Sequence, residues 1–181
     1  MPKDKIDVFD VPNNQDAVAI INLAQQLQDI CSKYHINAFQ PGAMKELKTA
    51  KILNHCWIIN KKEADACNDL LKTEMYEYLS GTENGAGQID RVFKDDLLDE
   101  EQHKKHLQSM ERITRNKWFY LAFTNKDTSK PLDILRIYQV SPDDILEETK
   151  RQLAISENKI SHVSFNEDFA RKHGTLIYSK E

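Results

Sequence analysis

Two carboxylates that lie twelve residues apart, Asp65 and Glu77, have the types and spacing to do chemistry. Their stretch "EADACNDLLKTEMYEYLSG" predicts a strand ending at Asp65, a connection, and a strand from about Met75 to Ser80. If the strands are neighbours, both acids can share a Mg²⁺ ion, which prefers oxygen ligands and often takes only one or two carboxylates from a protein. A metal in this position would neutralise phosphoryl charge and activate water, so the pair predicts hydrolysis of a phosphodiester.

Position 79 raises a second question about the same strand. Residues i and i+2 of a strand point to one face, so Leu79 is expected beside Glu77, yet leucine cannot donate a hydrogen bond to water. Lys72, in the connection, is the nearest cation and the candidate for a catalytic role if the connection folds back. The structural alternative is an ordinary hairpin with solvated acids, because Asp and Glu are common at the surface ends of strands.

The order of a helix with "KELKTAKILNH", a strand ending in "ADA" and then "YEYLS" resembles the core of the PD-(D/E)xK nucleases. In that family an Asp and an acid-x-Lys triplet supply the metal ligands and a lysine that orients water. The resemblance implies that Asp65 and Glu77 are catalytic and bind Mg²⁺, and Leu79 stands where the family usually carries its lysine. A second register, with Lys72 as the motif lysine and Asp69 or Glu74 as the acid, fits the period of a strand less well.

Further runs extend the resemblance along the chain. "YHINAFQPG", "RITRNKWFYLAF", "ILRIYQVSPDDI" and "ARKHGTLIY" are similar in order and character to small homodimeric type II restriction endonucleases of the PvuII kind. The implied fold is α/β, with a mixed central sheet flanked by helices in a restriction-endonuclease-like core. The implied function is Mg²⁺-dependent, sequence-specific cleavage of double-stranded DNA. The alternative is a noncatalytic DNA- or protein-binding module on the same fold, which Leu79 favours.

Such an enzyme needs donors and acceptors that reach base edges in the major groove. The glycine-rich segment "SGTENGAGQIDR" is predicted to be an irregular loop that carries the candidate readers Asn84, Gln88, Asp90 and Arg91. Long cations position a duplex through its phosphates, and the predicted helix from Asp95 to Met110 and the residues after it carry candidates of this type: Lys104, Lys105, Arg112 and Arg115. Ordinary surface charge is the alternative for each of these four.

A helix is predicted over 14–34, where Ile20, Ala24, Leu27, Cys31 and Tyr34 are spaced 4, 3, 4 and 3 residues apart. Its narrow apolar stripe suits either packing on the rest of the domain or pairing with a second copy of the chain. A two-fold homodimer would present the same reading segment twice, which suits a palindromic site.

Composition narrows the classes of protein. The 181 residues fit a single endonuclease-like domain over 1–181, and the formal net charge of −4 argues against nonspecific coating of nucleic acid. The N-terminus has no apolar signal-peptide region and no apolar run is long enough to span a bilayer, so a cytoplasmic protein without membrane contact is expected. Three cysteines without ligand spacing suggest neither a disulfide framework nor a zinc site, and no GK[ST] ending indicates a nucleotide loop.

Overall fold

The computed structural model describes residues 15–59, 64–127 and 129–180. Contacts divide the chain into two compact units, the first ending at Ala43 and the second beginning at Met44. The prediction of one domain over 1–181 stays a prediction. The expected helix start at Asn14 lies outside the described residues. None of the helices that these residues form has both the length and the apolar character needed to cross a bilayer.

The first unit contains the predicted amphipathic helix, α1 (Gln15–Ser32). Gln28 ties the chain after the helix back to it, because its Nε2 donates to Ile36 O at 3.1 Å and its Oε1 accepts from Ala38 N at 3.0 Å. The predicted stripe is divided in the structure: Cys31 is buried, whereas Ile20 and Leu27 are exposed. A different row of exposed apolar side chains runs along α1 and into the turn after it, at spacings of 3, 4, 3 and 4, and is made of Ile20, Leu23, Leu27, Ile30 and Tyr34. The helix ends at Ser32, two residues before the predicted end.

The second unit holds nearly all of α2 (Ala43–Leu53) and every later element. Its strands are β1 (Cys56–Trp57), β2 (Ala66–Cys67), β3 (Met75–Thr82), β4 (Ala86–Phe93), β5 (Trp118–Thr124), β6 (Ile134–Val140), β7 (Ile160–Asn166) and β8 (Thr175–Ser179). Its remaining helices are α3 (Glu100–Thr114), α4 (Pro142–Ile155) and α5 (Glu167–His173).

The strands form a central sheet in the order β1-β2-β3-β5-β6-β8 and a separate two-stranded ribbon, β4-β7. Every neighbouring pair in the central sheet is antiparallel except β3 and β5, which are parallel and are connected in the chain through β4 and α3. Parallel neighbours require such a crossover, whereas antiparallel ones can be joined by a turn. The expected mixed α/β fold with a helix-flanked central sheet is confirmed at this level.

Apolar side chains alternate along β3 and β5 and bury both faces of the sheet. On one face Phe119, Leu121 and Leu79 pack with Ile113 of α3 and Ile145 of α4. The ribbon closes the same core from outside, contributing the buried side chains Ile89, Val92, Val163 and Phe165. The opposite face carries an aromatic cluster of Tyr76, Tyr78 and Tyr120, against which α2 packs through Ala50.

Local signals in the second half of the chain place its helices. Ser141 caps α4 by accepting a hydrogen bond from Asp144 N at 3.1 Å, with Pro142 at the first helical position. Asn166 caps α5 in the same way, accepting from Phe169 N at 2.9 Å, and α5 ends at Gly174. Both helix starts thus follow from residues next to them in the chain.

Two boundaries around the carboxylates differ from the sequence-based prediction. The strand expected to end at Asp65 instead begins after it, because Ala66 and Cys67 are the residues that pair with β3. The expected glycine-rich loop is wrong as well: it is the end of β3, a turn and β4. Gly87 permits this arrangement, because a Cβ there would lie 2.8 Å from Leu79 Cβ and the two strands could not cross so closely.

Candidate functional site

Asp65 lies directly before β2, and Glu77 lies in β3, the neighbouring strand of the central sheet. Ala66 pairs with Tyr76 and Cys67 with Met75, so Asp65 and Glu77 each come one residue beyond the last pair, at the same end of the ladder. Asp65 N donates to Tyr76 O at 3.1 Å, and Asp65 Oδ2 accepts from Tyr78 N at 2.9 Å. Both the backbone and the carboxylate of Asp65 are therefore anchored to β3, next to the second acid.

Glu77 lies at the boundary between this site and the hydrophobic core. It shares one face of β3 with Leu79, which is only 4% exposed and belongs to the core beneath the ribbon. Across the sheet Glu77 aligns with Phe119 of β5, and its Oε2 atom is shielded from solvent. The alternation predicted from sequence thus places a carboxylate and a core leucine side by side, and packing explains the leucine.

The opposite face of β3 is backed by aromatic rings. His55 Nδ1 and the Tyr78 hydroxyl are hydrogen-bonded at 2.8 Å, and the His55 ring lies 4.5 Å from Tyr76 and 5.0 Å from Tyr120 between centroids. Burial lowers the pKa of His55 and raises the pKa of Tyr78, and burial also raises the pKa of Tyr120 to about 12. All four side chains are neutral at pH 7, so this cluster supports β3 by packing rather than by charge.

The connection between β2 and β3 holds Lys72 and the acids of the second register. Asp69 organises the turn, since its Oδ1 accepts from Leu71 N at 2.9 Å and its Oδ2 from Thr73 Oγ1 at 3.0 Å. Glu74 accepts from the Tyr76 hydroxyl at 2.9 Å. Lys72 is exposed in the turn with a left-handed φ of 56°. Asp69 and Glu74 thus form hydrogen bonds that stabilise the hairpin. The catalytic role of Lys72 stays a prediction.

Three of the four candidate readers lie on the outer face of the ribbon. Gln88 Nε2 donates to Ser164 Oγ at 3.0 Å, and His162 Nδ1 donates to Asp90 Oδ1 at 2.7 Å. Arg91 has a φ of 55° at the irregularity between Ile89 and Val92, where the strand bulges. Asn84 lies apart from these three, in the turn between β3 and β4.

Sequence reasoning missed two members of this outer face, His162 and Ser164. The alternation in "ISHVSF" places both on one side of β7, and this signal was available. The sequence could not predict their contact with β4, because the partners Asp90 and His162 are 72 residues apart in the chain.

The four candidate phosphate contacts are divided between several roles. Lys104 is exposed on α3, and Lys105 pairs with Glu101 one turn earlier. Arg112 Nη2 donates to Asp90 O at 2.7 Å and so supports the bulge of β4. Arg115 is the C-terminal cap of α3. Their predicted phosphate contacts stay predictions, and for Arg112 the structure adds a positioning role.

A network of charges joins α5 to the sheet near Asn84. Arg136 of β6 contacts both carboxylate oxygens of Glu167, through Nε to Oε1 and through Nη2 to Oε2 at 3.0 Å. The Tyr138 hydroxyl donates to the same carboxylate at 3.0 Å, and Arg171 Nη2 does so at 3.2 Å. The Arg136 guanidinium holds the pKa of Glu167 below its usual value. The network is a structural clamp with every oxygen of Glu167 engaged.

The donor set at Asp65 and Glu77 fits a hard divalent cation. Carboxylate oxygens are the ligands that Mg²⁺ prefers, and this ion commonly completes its shell with water and substrate phosphates. Within the described ranges, no three His, Cys, Asp or Glu side chains gather into a metal-binding group. Two carboxylates alone do not make a closed structural site, which takes four protein ligands.

Comparison with known proteins adds no assignment. No known protein family matches the chain, and no curated protein is significantly similar to it. A functional assignment therefore rests on the geometry of this chain.

Proposed function

We propose that this protein is a Mg²⁺-dependent, sequence-specific endonuclease of double-stranded DNA, similar in core to the PD-(D/E)xK nucleases. The observation that carries the proposal is that Asp65 and Glu77 lie at the same end of the β2–β3 ladder, with the Asp65 carboxylate bound by the Tyr78 N–H of β3. The connection of β3 to a parallel neighbour through a helix supports it, because a mixed sheet of this kind was expected from the resemblance.

The chain's own residues would prepare the site for DNA. The Tyr78 N–H fixes one oxygen of Asp65, and the buried flank of Glu77 restricts the second carboxylate to the edge of the core. A bound Mg²⁺ would supply neutralisation of phosphoryl charge and a polarised water. Fixed carboxylates need no rearrangement when charge develops, which is the source of electrostatic catalysis.

The ribbon supplies a surface suited to reading sequence. A two-stranded ribbon fits the major groove of B-form DNA, where base edges present distinct patterns of donors and acceptors. Gln88, Asp90 and Arg91 stand on its outer face, and His162 and Ser164 enlarge that face. We expect these side chains to exchange their present hydrogen bonds for base edges.

A homodimer belongs to the same proposal. The exposed row of α1, from Ile20 to Tyr34, has side chains between 38% and 65% exposed at the spacing of a coiled-coil seam. A contiguous apolar row of this kind marks an interaction surface, and a second copy of α1 offers the matching row.

Cleavage of a large plasmid or phage DNA tests the function directly. The protein is incubated with the DNA in Mg²⁺ or in EDTA, beside Glu77→Gln and the control Glu111→Gln, which changes an exposed acid of α3. Discrete fragments that require Mg²⁺, persist in the control and disappear in Glu77→Gln are expected. Intact DNA in every lane, over several DNAs of different sequence, would rule out the endonuclease.

The second candidate is a noncatalytic duplex-binding module, and the burial of Leu79 favours it. A leucine that is 4% exposed in the core cannot orient water, so the fold can be kept without the chemistry. This candidate predicts a shifted duplex in gel electrophoresis with no fragments in Mg²⁺ or Mn²⁺.

A further inference from the structure

A groove beside the carboxylate pair is rich in cations. It runs between the β2–β3 turn and the end of α3, and it is lined by Lys72, Thr73, Glu74, Met75, Thr114, Arg115, Asn116 and Lys117. Lys72, Arg115 and Lys117 are exposed, and within the described part of the chain Arg115 and Lys117 form no ion pair. The one acid, Glu74, is engaged by the Tyr76 hydroxyl at 2.9 Å. The groove therefore presents an excess of positive charge.

A buried side chain holds the wall of the groove in place. Asn116 is only 2% exposed, and its Nδ2 donates to Arg112 O at 2.9 Å. This hydrogen bond ties the chain between Arg115 and Lys117 to the last turn of α3. The two cations on either side of Asn116 are therefore held on the same wall of the groove.

The groove begins next to Glu77. Met75 lines it and lies on the same face of β3 as Glu77, two residues or about 6–7 Å away. Lys117 N donates to Met75 O at 2.7 Å, which places Lys117 two residues before Phe119, the partner of Glu77 in β5. Lys117 is therefore the diagonal neighbour of Glu77 across the sheet.

We propose that this groove binds a backbone phosphate of DNA adjacent to the phosphate held at Asp65 and Glu77, with Arg115 and Lys117 as its principal cations. The identity of the anion as DNA rests on the proposed function. Lys72 lies at the rim of the groove, where it adds charge. The groove positions the strand along the face of β3, and Asn116 anchors the chain between its two principal cations.

Salt-dependent binding of duplex DNA tests this assignment apart from cleavage. A fluorescein-labelled duplex of about 30 base pairs and mixed sequence is titrated in EDTA, and affinity is followed by anisotropy over a range of salt concentrations. Each neutralised phosphate contributes about 0.9 to the slope of log affinity against log salt. Arg115→Gln/Lys117→Gln is therefore expected to reduce the slope by about 0.9 and the affinity about tenfold.

A matched control separates the groove from general charge. Lys126→Gln/Lys130→Gln removes the same two charges beyond the opposite end of β5, about 20 Å along the strand from Lys117. This pair is expected to leave the slope unchanged, and Lys117→Arg, which keeps the charge, is expected to bind as the unaltered protein does.

Three results would overturn the proposal. In the first, the salt dependence of affinity is unchanged in Arg115→Gln/Lys117→Gln while the unaltered protein still produces Mg²⁺-dependent fragments. This result would show that the groove does not bind a phosphate, and it would not contradict the endonuclease function. An equal loss in the groove variant and in Lys126→Gln/Lys130→Gln would show that only net charge matters. No duplex binding by the unaltered protein would overturn the groove, and the cleavage experiment in Mg²⁺ then decides separately whether the proposed function fails as well.

Discussion

At the scale of single residues, Leu79 and Glu77 show how closely a charged position can adjoin the core. They lie two residues apart on one face of β3, and Leu79 packs with Phe119 and Leu121 while the Oε2 atom of Glu77 is shielded from solvent. A lysine at position 79 would have to keep its ammonium within the apolar core or displace the ribbon, and a buried ammonium is costly. Position 79 of β3 is thus occupied by a side chain that packs in the core, whereas the resemblance implied a lysine that orients water.

Truncating Leu79 measures this packing. We expect Leu79→Ala to lower the free energy of unfolding by about 3 kcal/mol, because it removes a core side chain and leaves a cavity. Urea unfolding monitored by circular dichroism gives the value. Leu98→Ala, at a side chain that is 98% exposed, is the control and should change stability by less than about 0.5 kcal/mol. Similar losses in both variants would contradict the core assignment.

The Arg136–Glu167 clamp makes stability depend on pH. The pKa of Glu167 is held below its ordinary value by Arg136, so its contribution is fully present above the unfolded pKa of about 4.3. That contribution is lost as the pH falls through the lower pKa of the folded state. We expect Glu167→Gln to cost about 3 kcal/mol at pH 7 and to flatten the decline of stability below about pH 4.

Urea unfolding at a series of pH values between 7 and 3 checks the clamp. Glu111→Gln is the control, since Glu111 is an exposed acid of α3 and such a substitution should change stability by less than about 0.5 kcal/mol. A Glu167→Gln curve that runs parallel to that of the unaltered protein would show that Glu167 does not titrate in this range.

At the scale of elements, the close crossing of β3 and β4 decides where the ribbon lies. The two strands follow one another through a short turn but belong to different sheets. Gly81 and Gly87 face the opposing backbone, and a Cβ at Gly81 would lie 2.9 Å from Ala86 C. Glycine is needed here for close approach, and this crossing turns the outer face of β4 away from the central sheet.

Alanine substitutions at two glycines test the crossing. We expect Gly87→Ala to destabilise the fold by about 2 kcal/mol, because the new methyl group would meet both the Cβ and the backbone carbon of Leu79 within 3 Å. Gly85→Ala should cost less, since its closest neighbour is the Thr82 hydroxyl, a side-chain atom that can rotate away. Urea unfolding compares the two, and a larger loss in Gly85→Ala would contradict the crossing.

At the scale of the whole molecule, α1 carries the surface through which two chains could meet. Its exposed row contains Leu23, at 65% exposure, and Ile30, at 57%, where an isolated soluble helix would normally show polar side chains. Association of two copies would remove this apolar surface from water, and burial of apolar area is the main favourable term in such contacts.

Acidic substitutions in the row test the homodimer. We expect the unaltered protein to sediment as a dimer and Leu23→Glu/Leu27→Glu to sediment as a monomer, because the substitutions place charges in the seam. Asn22→Glu/Gln26→Glu adds the same charge outside the seam and should remain dimeric. Analytical ultracentrifugation at micromolar concentration distinguishes these outcomes, and a monomeric unaltered protein would exclude α1 as a stable dimer interface.

Sequence reasoning reached the features that local signals encode. The cap at Ser141 and the alternation along β3 follow from neighbouring residues. The sharing of a metal by Asp65 and Glu77 stays a prediction. The glycine-rich segment was misread because glycine signals both loops and close strand crossings. Only the fold shows that Leu79 belongs to the core and that Asn116 faces a groove.

The ribbon has a further consequence for how the protein is made. Asp90 and His162 are 72 residues apart, and α3, β5, β6 and α4 all intervene between the two strands. Contacts between distant residues form late, since the entropy of closing a long loop must be overcome first. During synthesis, β4 must wait for most of the chain to emerge before it finds β7. A shortened chain that ends before β7 could build much of the central sheet and would still lack half of the surface proposed to read DNA.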